Sequence, residues 1–256
     1  MVAGADLGGH GLYDRVARLY MGSGKLLLAG TPRAFRAWTL VVMGRADQGL
    51  IEVDEALELE RTLGQTEGEA LCLMVRAEAL SALDRGREAR DTANEALAVF
   101  RRLGAGEWEA ATFRVLGQAE EAAGNLEEAA AVLRQGVEAS IGMPFHCSMA
   151  ASRLASVLVA MGELESAEEY ANRALAERSP AGGYEAHLVL AEIALLRGEA
   201  KAEAMAAEAL ARADAGAYVE SPARRRLDRM GWASRGPVGQ PRGVGGGGGP
   251  SCSPTS

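Results

Sequence analysis

Residues 61–73 read RTLGQTEGEALCL, and residues 101–113 read RRLGAGEWEAATF. Arg61 answers Arg101, Leu63-Gly64 answers Leu103-Gly104, Glu67 answers Glu107, and Glu69-Ala70 answers Glu109-Ala110. Self-similarity at such a fixed period marks a stack of like units, because a single unit cannot bury its apolar face alone. A dipeptide anchors each unit: Ala56-Leu57, Ala96-Leu97, Gly136-Val137, Ala174-Leu175 and Ala209-Leu210, at intervals of 40, 40, 38 and 35 residues. Seven residues before each anchor lies a small residue (Gly49, Ala89, Ala129, Ala167, Ala202). Eleven or twelve residues earlier still lies another (Ala37, Ala77, Gly117, Ala155, Ala191), with a turn near Gly44, Gly86, Gly124, Gly162 or Gly198 between the two.

A spacing of seven puts side chains on one helix face. Small side chains there let two helix axes approach closely. Each unit therefore reads helix, turn, helix. The pattern predicts ten helices, over 33–43 and 46–63, 66–83 and 86–103, 106–123 and 126–140, 144–161 and 164–177, and 184–197 and 200–214. The expected fold class is all-α, a right-handed α–α superhelix (a solenoid) of five helix-turn-helix units over residues 31–216. Composition agrees: the chain is 48% hydrophobic but only 5% aromatic, and its apolar content is largely the helix-favouring Ala and Leu. The joints agree as well. Thr31-Pro32 reads as an N-cap with proline at the first helical position. Met143-Pro144 and Ser179-Pro180 fall between units, where helices end. The echoed Leu-Gly pairs suggest glycine C-caps, and the Glu-x-Glu-Ala after them places acids in the next first turn.

Leu116-Gly117 followed by Ala129, Leu133 and Gly136 resembles the tetratricopeptide repeat, and so does Leu154-Ala155 with Ala167, Ala171 and Ala174. The resemblance covers residues 33–214. The units depart from that family in being longer than usual, in a closing proline that is missing or displaced, and in carrying Arg36 and Arg76 where a leucine is expected. Lengthened, alanine-rich units of this kind look like the C-terminal arrays of large bacterial ATP-binding transcriptional regulators and of multidomain adenylate cyclases. The resemblance implies a bacterial signalling or transcription-regulatory setting.

The ends read differently. Residues 1–30 suggest an N-terminal cap or the remnant of an earlier unit, since a solenoid needs a polar end unit. Residues 217–256 read as a disordered, basic, Gly/Pro/Ser-rich tail. Residues 221–256 hold six Arg and one Asp, a charge of +5, which leaves −13 on the rest of a chain of net charge −8. The acidic body argues against nucleic-acid binding. Three scattered cysteines, Cys72, Cys147 and Cys252, point to a reducing compartment. With no signal peptide or membrane span read from the sequence, the expected location is cytoplasmic, without membrane contact.

Sequence motifs for chemistry are weak. The GSGK at 22–25 lacks the preceding strand and the Ser or Thr of a phosphate loop. His146, Cys147 and His187 lack zinc-type spacing. The expectation is therefore no catalytic residues, no metal and no cofactor. In stacked hairpins the first helices line a concave surface that commonly binds extended partners. Trp38, Met74, Glu78, Arg114, Gln118, Arg153, Ser156 and Glu192 are the candidate partner-binding residues of that groove, with Trp and Arg as frequent hot-spot types. The competing reading has Trp38 and Met74 packing between units. Arg114→Ala is expected to weaken partner capture without changing the melting point. The functional expectation is a non-catalytic scaffold binding a protein or peptide in the groove. A small-molecule effector module is the alternative, and homo-oligomerisation through an uncovered end of the array is a third reading.

Overall fold

The computed structural model describes residues 30–215 and 221–232. The expected N-terminal cap, the GSGK segment and residues 233–256 lie outside them. The described residues form eleven α-helices and no strand. Five hairpins follow one another: α1 (Gly30–Val42) with α2 (Ala46–Leu63), α3 (Thr66–Ala82) with α4 (Gly86–Leu103), α5 (Gly106–Ala122) with α6 (Leu126–Ala139), α7 (Pro144–Met161) with α8 (Leu164–Ala176), and α9 (Pro180–Leu196) with α10 (Ala202–Ala215). A further helix, α11 (Pro222–Arg229), comes last. Most boundaries fall within two residues of those read from the sequence. The larger shifts are at α1 and α9, which begin at Gly30 and Pro180 rather than 33 and 184.

Each first helix packs on its own second helix and on the first helix of the next unit, while each second helix through α8 also packs on the next first helix. This staggered contact is what makes a superhelix of hairpins. The recurring small residues sit at the closest approaches. Ala37, Ala77, Ala155 and Ala191 are fully buried, as are Ala89, Ala129 and Ala167. At Gly49 a Cβ would stand 2.9 Å from the Ala37 carbonyl oxygen and 2.8 Å from Val41 Cγ2, so α1 and α2 touch there almost backbone to backbone. The arginines that replace the family's leucine reach second helices instead: Arg36 pairs with Glu52 of its own unit, and Arg76 Nε bonds Asp54 of the preceding unit at 2.8 Å.

The echo at 61–73 and 101–113 has a direct structural cause. Gly64 and Gly104 end their helices in the left-handed region, at φ +67° and +65°. Each is followed by an amide that reaches back over the helix end: Gln65 N–H to Glu60 O and Ala105 N–H to Phe100 O, both at 3.0 Å. Across the same joints Arg61 Nε bonds Glu69 at 2.8 Å, and Arg101 Nε bonds Glu109 at 2.9 Å. Every echoed charge pair is thus a clasp between one unit and the next.

Two expectations change. The turn inside the second unit is made by Asp84 at φ +58°, not by Gly86, which already belongs to α4. Asp84 stands where Gly44, Gly124 and Gly162 stand in their units, and a short polar side chain tolerates this conformation better than most. The second change concerns the tail, which was expected to be disordered from 217. Ser221-Pro222 instead opens a capped helix: Ser221 Oγ accepts the Arg224 N–H at 3.1 Å, and Pro222 occupies the first turn. Ala223 and Leu227, fully buried, belong to the same apolar cluster as Leu188 and Ile193 of α9. In that position α11 packs on α9 as each first helix packs on the first helix before it.

Candidate functional site

The first helices converge on one cavity of about 410 Å3. Val41 and Val42 at the end of α1 lie on its wall with Glu78 of α3, Arg114 and Gln118 of α5, and Ser152 and Arg153 of α7. Glu185 of α9 and Arg225, Arg226 and Arg229 of α11 complete it. The five first helices and α11 therefore contribute to a single space along the inner face of the array.

The wall is stitched together by side chains that cross from one first helix to another. Arg114 holds Glu78 with two hydrogen bonds of 3.0 and 2.9 Å and also donates to Gln118 at 2.8 Å. Arg153 Nη1 lies 3.6 Å from Glu121. Arg226 donates to Glu192 at 2.6 Å and, from its other arm, to Ser156 at 2.9 Å, so one guanidinium ties α11 to α9 and α7. Ser221 Oγ donates to the Glu185 carboxylate. Arginine suits this role because its planar fork bonds two acceptors at once.

Burial shapes the acids. It pushes the Glu121 carboxyl above the ordinary carboxylate range, against the opposing pull of Arg153 and Arg226. It raises Glu192 as well, with the Arg226 hydrogen bond acting in the other direction. Desolvation disfavours the charged form of each group. The same effect acts on two cysteines: burial drives the Cys72 thiol up to about 12 and raises that of Cys147 too. A thiol so rarely ionised is a packing group, not a nucleophile.

The eight residues singled out from the sequence divide into three groups. Glu78, Arg114, Gln118 and Arg153 line the cavity. Ser156 and Glu192 lie beside it, held by Arg226. Met74 is buried in an apolar cluster, and Trp38, partly buried, packs against that cluster as Phe35 and Trp108 do. Arg114 is 6% exposed and doubly bonded, which overturns the expectation that its removal leaves stability untouched. The sequence reading did not place Glu121, Glu185, Arg225, Arg226 and Arg229 at the groove. A signal for α11 was present: Ser221-Pro222 repeats the Ser179-Pro180 that opens α9.

His146 approaches Glu107 at 3.2 Å, and His187 Nε2 accepts from Arg212 Nη1 at 3.1 Å. Among the described residues no group of three or more His, Cys, Asp or Glu side chains is placed to hold a metal ion. Among them, too, no helix is long and apolar enough to cross a membrane.

A family model described as tetratricopeptide repeat matches residues 69–141. The chain folds as a tetratricopeptide-like array. Solved structures agree with that architecture. The array superposes on a Rap protein complexed with competence and sporulation factor at a TM-score of 0.65, with 14% identity, over 88% of this chain and 69% of that one. It superposes on NprR in complex with its cognate peptide NprX at 0.59, with 18% identity, over 87% and 68%. BtubC (BKLC) from P. vanneervenii gives 0.53 at 16% identity, over 91% and 92%. No curated protein sequence matches the chain. At these identities the array shares a fold with its structural neighbours, and its groove must be read from its own residues.

Proposed function

We propose that the array is a non-catalytic protein-interaction module that holds a segment of a partner protein in its inner groove. The observation that carries this reading is the convergence of the five first helices and α11 on one cavity lined by arginine, glutamate and glutamine side chains. Such a lining offers hydrogen bonds to a peptide backbone and to polar side chains along an extended surface. Two fold neighbours are complexed with a peptide or a factor: NprR with its cognate peptide NprX, and the Rap protein with the competence and sporulation factor. A bacterial regulatory setting accords with them. Any reaction in that setting belongs to a partner.

The size of the cavity favours one second reading. A space of about 410 Å3 lies within the range of small-molecule pockets, so a polar effector is the alternative occupant. Ala160, exposed on α7 and part of the cavity wall, separates groove binding from adhesion elsewhere. Ala160→Trp adds bulk to the cavity wall from an exposed position. Partners captured from native extract by the intact chain should be lost on Ala160→Trp and retained on Ile51→Glu, which alters an exposed residue of the outer helix α2. Partners retained equally by both variants would sink the groove reading. Saturable binding of a metabolite, abolished by Ala160→Trp, with no protein captured, would establish the effector reading instead.

A further inference from the structure

The chain leaves the described fold beside the cavity. Pro222, Arg225, Arg226 and Arg229, spread over the whole length of α11, all lie on the cavity wall. The helix therefore runs along the groove, and its end is fixed. Gly231 stands at φ +84°, its N–H reaches Asp228 O at 2.9 Å, and Trp232 N–H reaches Leu227 O at 3.1 Å. These two bonds turn a chain back at a helix C-terminus. Trp232 is buried in the apolar cluster that holds Leu227. It follows Arg229 by three residues, a contour of at most ~11 Å.

An exit held this close to a groove makes the next residues the nearest occupant. Ten extended residues span up to about 33 Å. A short tether presents what it carries at an effective concentration on the order of millimolar. A separate partner at micromolar concentration starts from a roughly thousandfold disadvantage against it.

The chemistry of residues 233–242, ASRGPVGQPR, suits the wall. Gly236 and Gly239 carry no side chain, and Pro237 and Pro241 have no N–H. The backbone is slim and richer in acceptors than in donors. Arginine carries five N–H groups and no acceptor, and Arg114 and Arg153 share the wall with Gln118. Gln118 accepts from Arg114 through its oxygen, which leaves its amide N–H groups to donate. Backbone carbonyls satisfy such donors without any net charge on the wall. At longer range, residues 233–256 hold Arg235 and Arg242 and no acid, a charge of +2, which leaves −10 on residues 1–232 of a chain of net charge −8. That difference draws the segment to the body. The tether and the backbone fit then select the groove.

We propose that residues 233–242 fill the groove when no partner is bound, so that a partner segment must displace them. This proposal rests on the groove reading above and adds an occupant supplied by the chain itself.

The test is disulfide trapping in the full chain carrying Cys252→Ser, because Cys72 and Cys147 are buried. Val238→Cys is combined either with Ala160→Cys, exposed on the cavity wall, or with Asp228→Cys, exposed on α11 but off the wall. Asp228 is ten residues from Val238 along the chain, so undirected motion of the tether favours Asp228. The Ala160→Cys pair should nevertheless close its intrachain disulfide roughly tenfold faster or more. Equal or slower closure, or no disulfide at Ala160→Cys, overturns the proposal. A disulfide formed mainly between two chains overturns it in favour of a second copy as occupant. The locked chain should also lose the partners that the reduced chain captures from native extract, and reductant should restore them. Partners kept by a chain locked at Ala160→Cys bind outside the groove, and the groove reading then falls with the displacement. Failure of the disulfide, with partners still lost on Ala160→Trp, removes the occupant and leaves the groove.

Discussion

Arg226 Nε lies 2.6 Å from Glu192 Oε1, and this contact joins a helix that composition alone assigns to a tail to the innermost surface of the array. The Glu192 side chain is 4% exposed and that of Arg226 15%, so the pair is largely withdrawn from water. A buried pair offsets its desolvation only while both members are present.

Arg226→Ala should therefore destabilise the chain more than a surface change does. It leaves Glu192 buried without its guanidinium and removes the bond to Ser156. The expected cost is about 3 kcal/mol, read by chemical denaturation. Amide exchange should rise first in α11. Unchanged protection of residues 222–229 would show that Leu227 and Ala223 hold the helix without the arginine.

The pH dependence has a definite sign. Glu192 is raised by burial, with Arg226 opposing. A carboxyl whose pKa is higher in the folded chain favours folding while protonated. That contribution is complete below the unfolded value and is lost as pH rises through the folded one. Glu192→Gln mimics the protonated form. Its melting temperature relative to the parent should climb as pH moves from the ordinary carboxylate range toward neutrality. A difference that stays flat across that window contradicts the burial argument.

Arg114→Ala should cost about 3–5 kcal/mol, because Glu78 loses both of its guanidinium bonds in a buried setting. Replacing Glu78 and Arg114 together by methionine should cost less than the single change, since no unpaired charge remains. Denaturation of the three proteins decides it. Additive losses would mean the two residues act independently.

The unit-to-unit clasp Arg101–Glu109 is half-exposed, at 52% and 30%. Arg101→Ala should move stability by about 0.5 kcal/mol or less. Gly104→Ala forces a side chain into φ +65° and should cost about 1–2 kcal/mol. A larger loss from the arginine than from the glycine would reverse the roles assigned to the clasp and the cap.

Ala129→Leu introduces a branched side chain where Ala129 is fully buried between helices. Overpacking there should cost about 1–3 kcal/mol, measured as a shift in denaturation midpoint. A neutral outcome would place that face away from the helix crossing.

The hairpins were legible in the sequence because their cause is local and periodic. Small residues seven apart, glycines at helix ends and prolines at unit starts constrain the backbone wherever they occur. Spacing could identify the face carrying Ala89 or Ala167 without knowing its neighbour. The groove was only partly legible. The positions of Glu78, Gln118 and Arg114 follow from the repeat, but their mutual bonds do not, because Arg114 and Glu78 lie thirty-six residues apart and meet through helix packing. Trp38 and Met74 were read as contact residues by type; packing buries Met74 in an apolar cluster and partly buries Trp38 against it.

What the sequence alone determined is the unit: a helix hairpin with small residues at its crossing and a clasp to the next. What the tertiary structure alone decided is where α11 sits. Composition counts the residues near 224–226 as basic and solvated. Packing on α9 gives Leu227 a buried place and Arg226 two partners, and the free energy of that burial depends on neighbours seventy residues away at Ser156. No pattern local to the chain can report a contact whose existence depends on how five preceding hairpins curve.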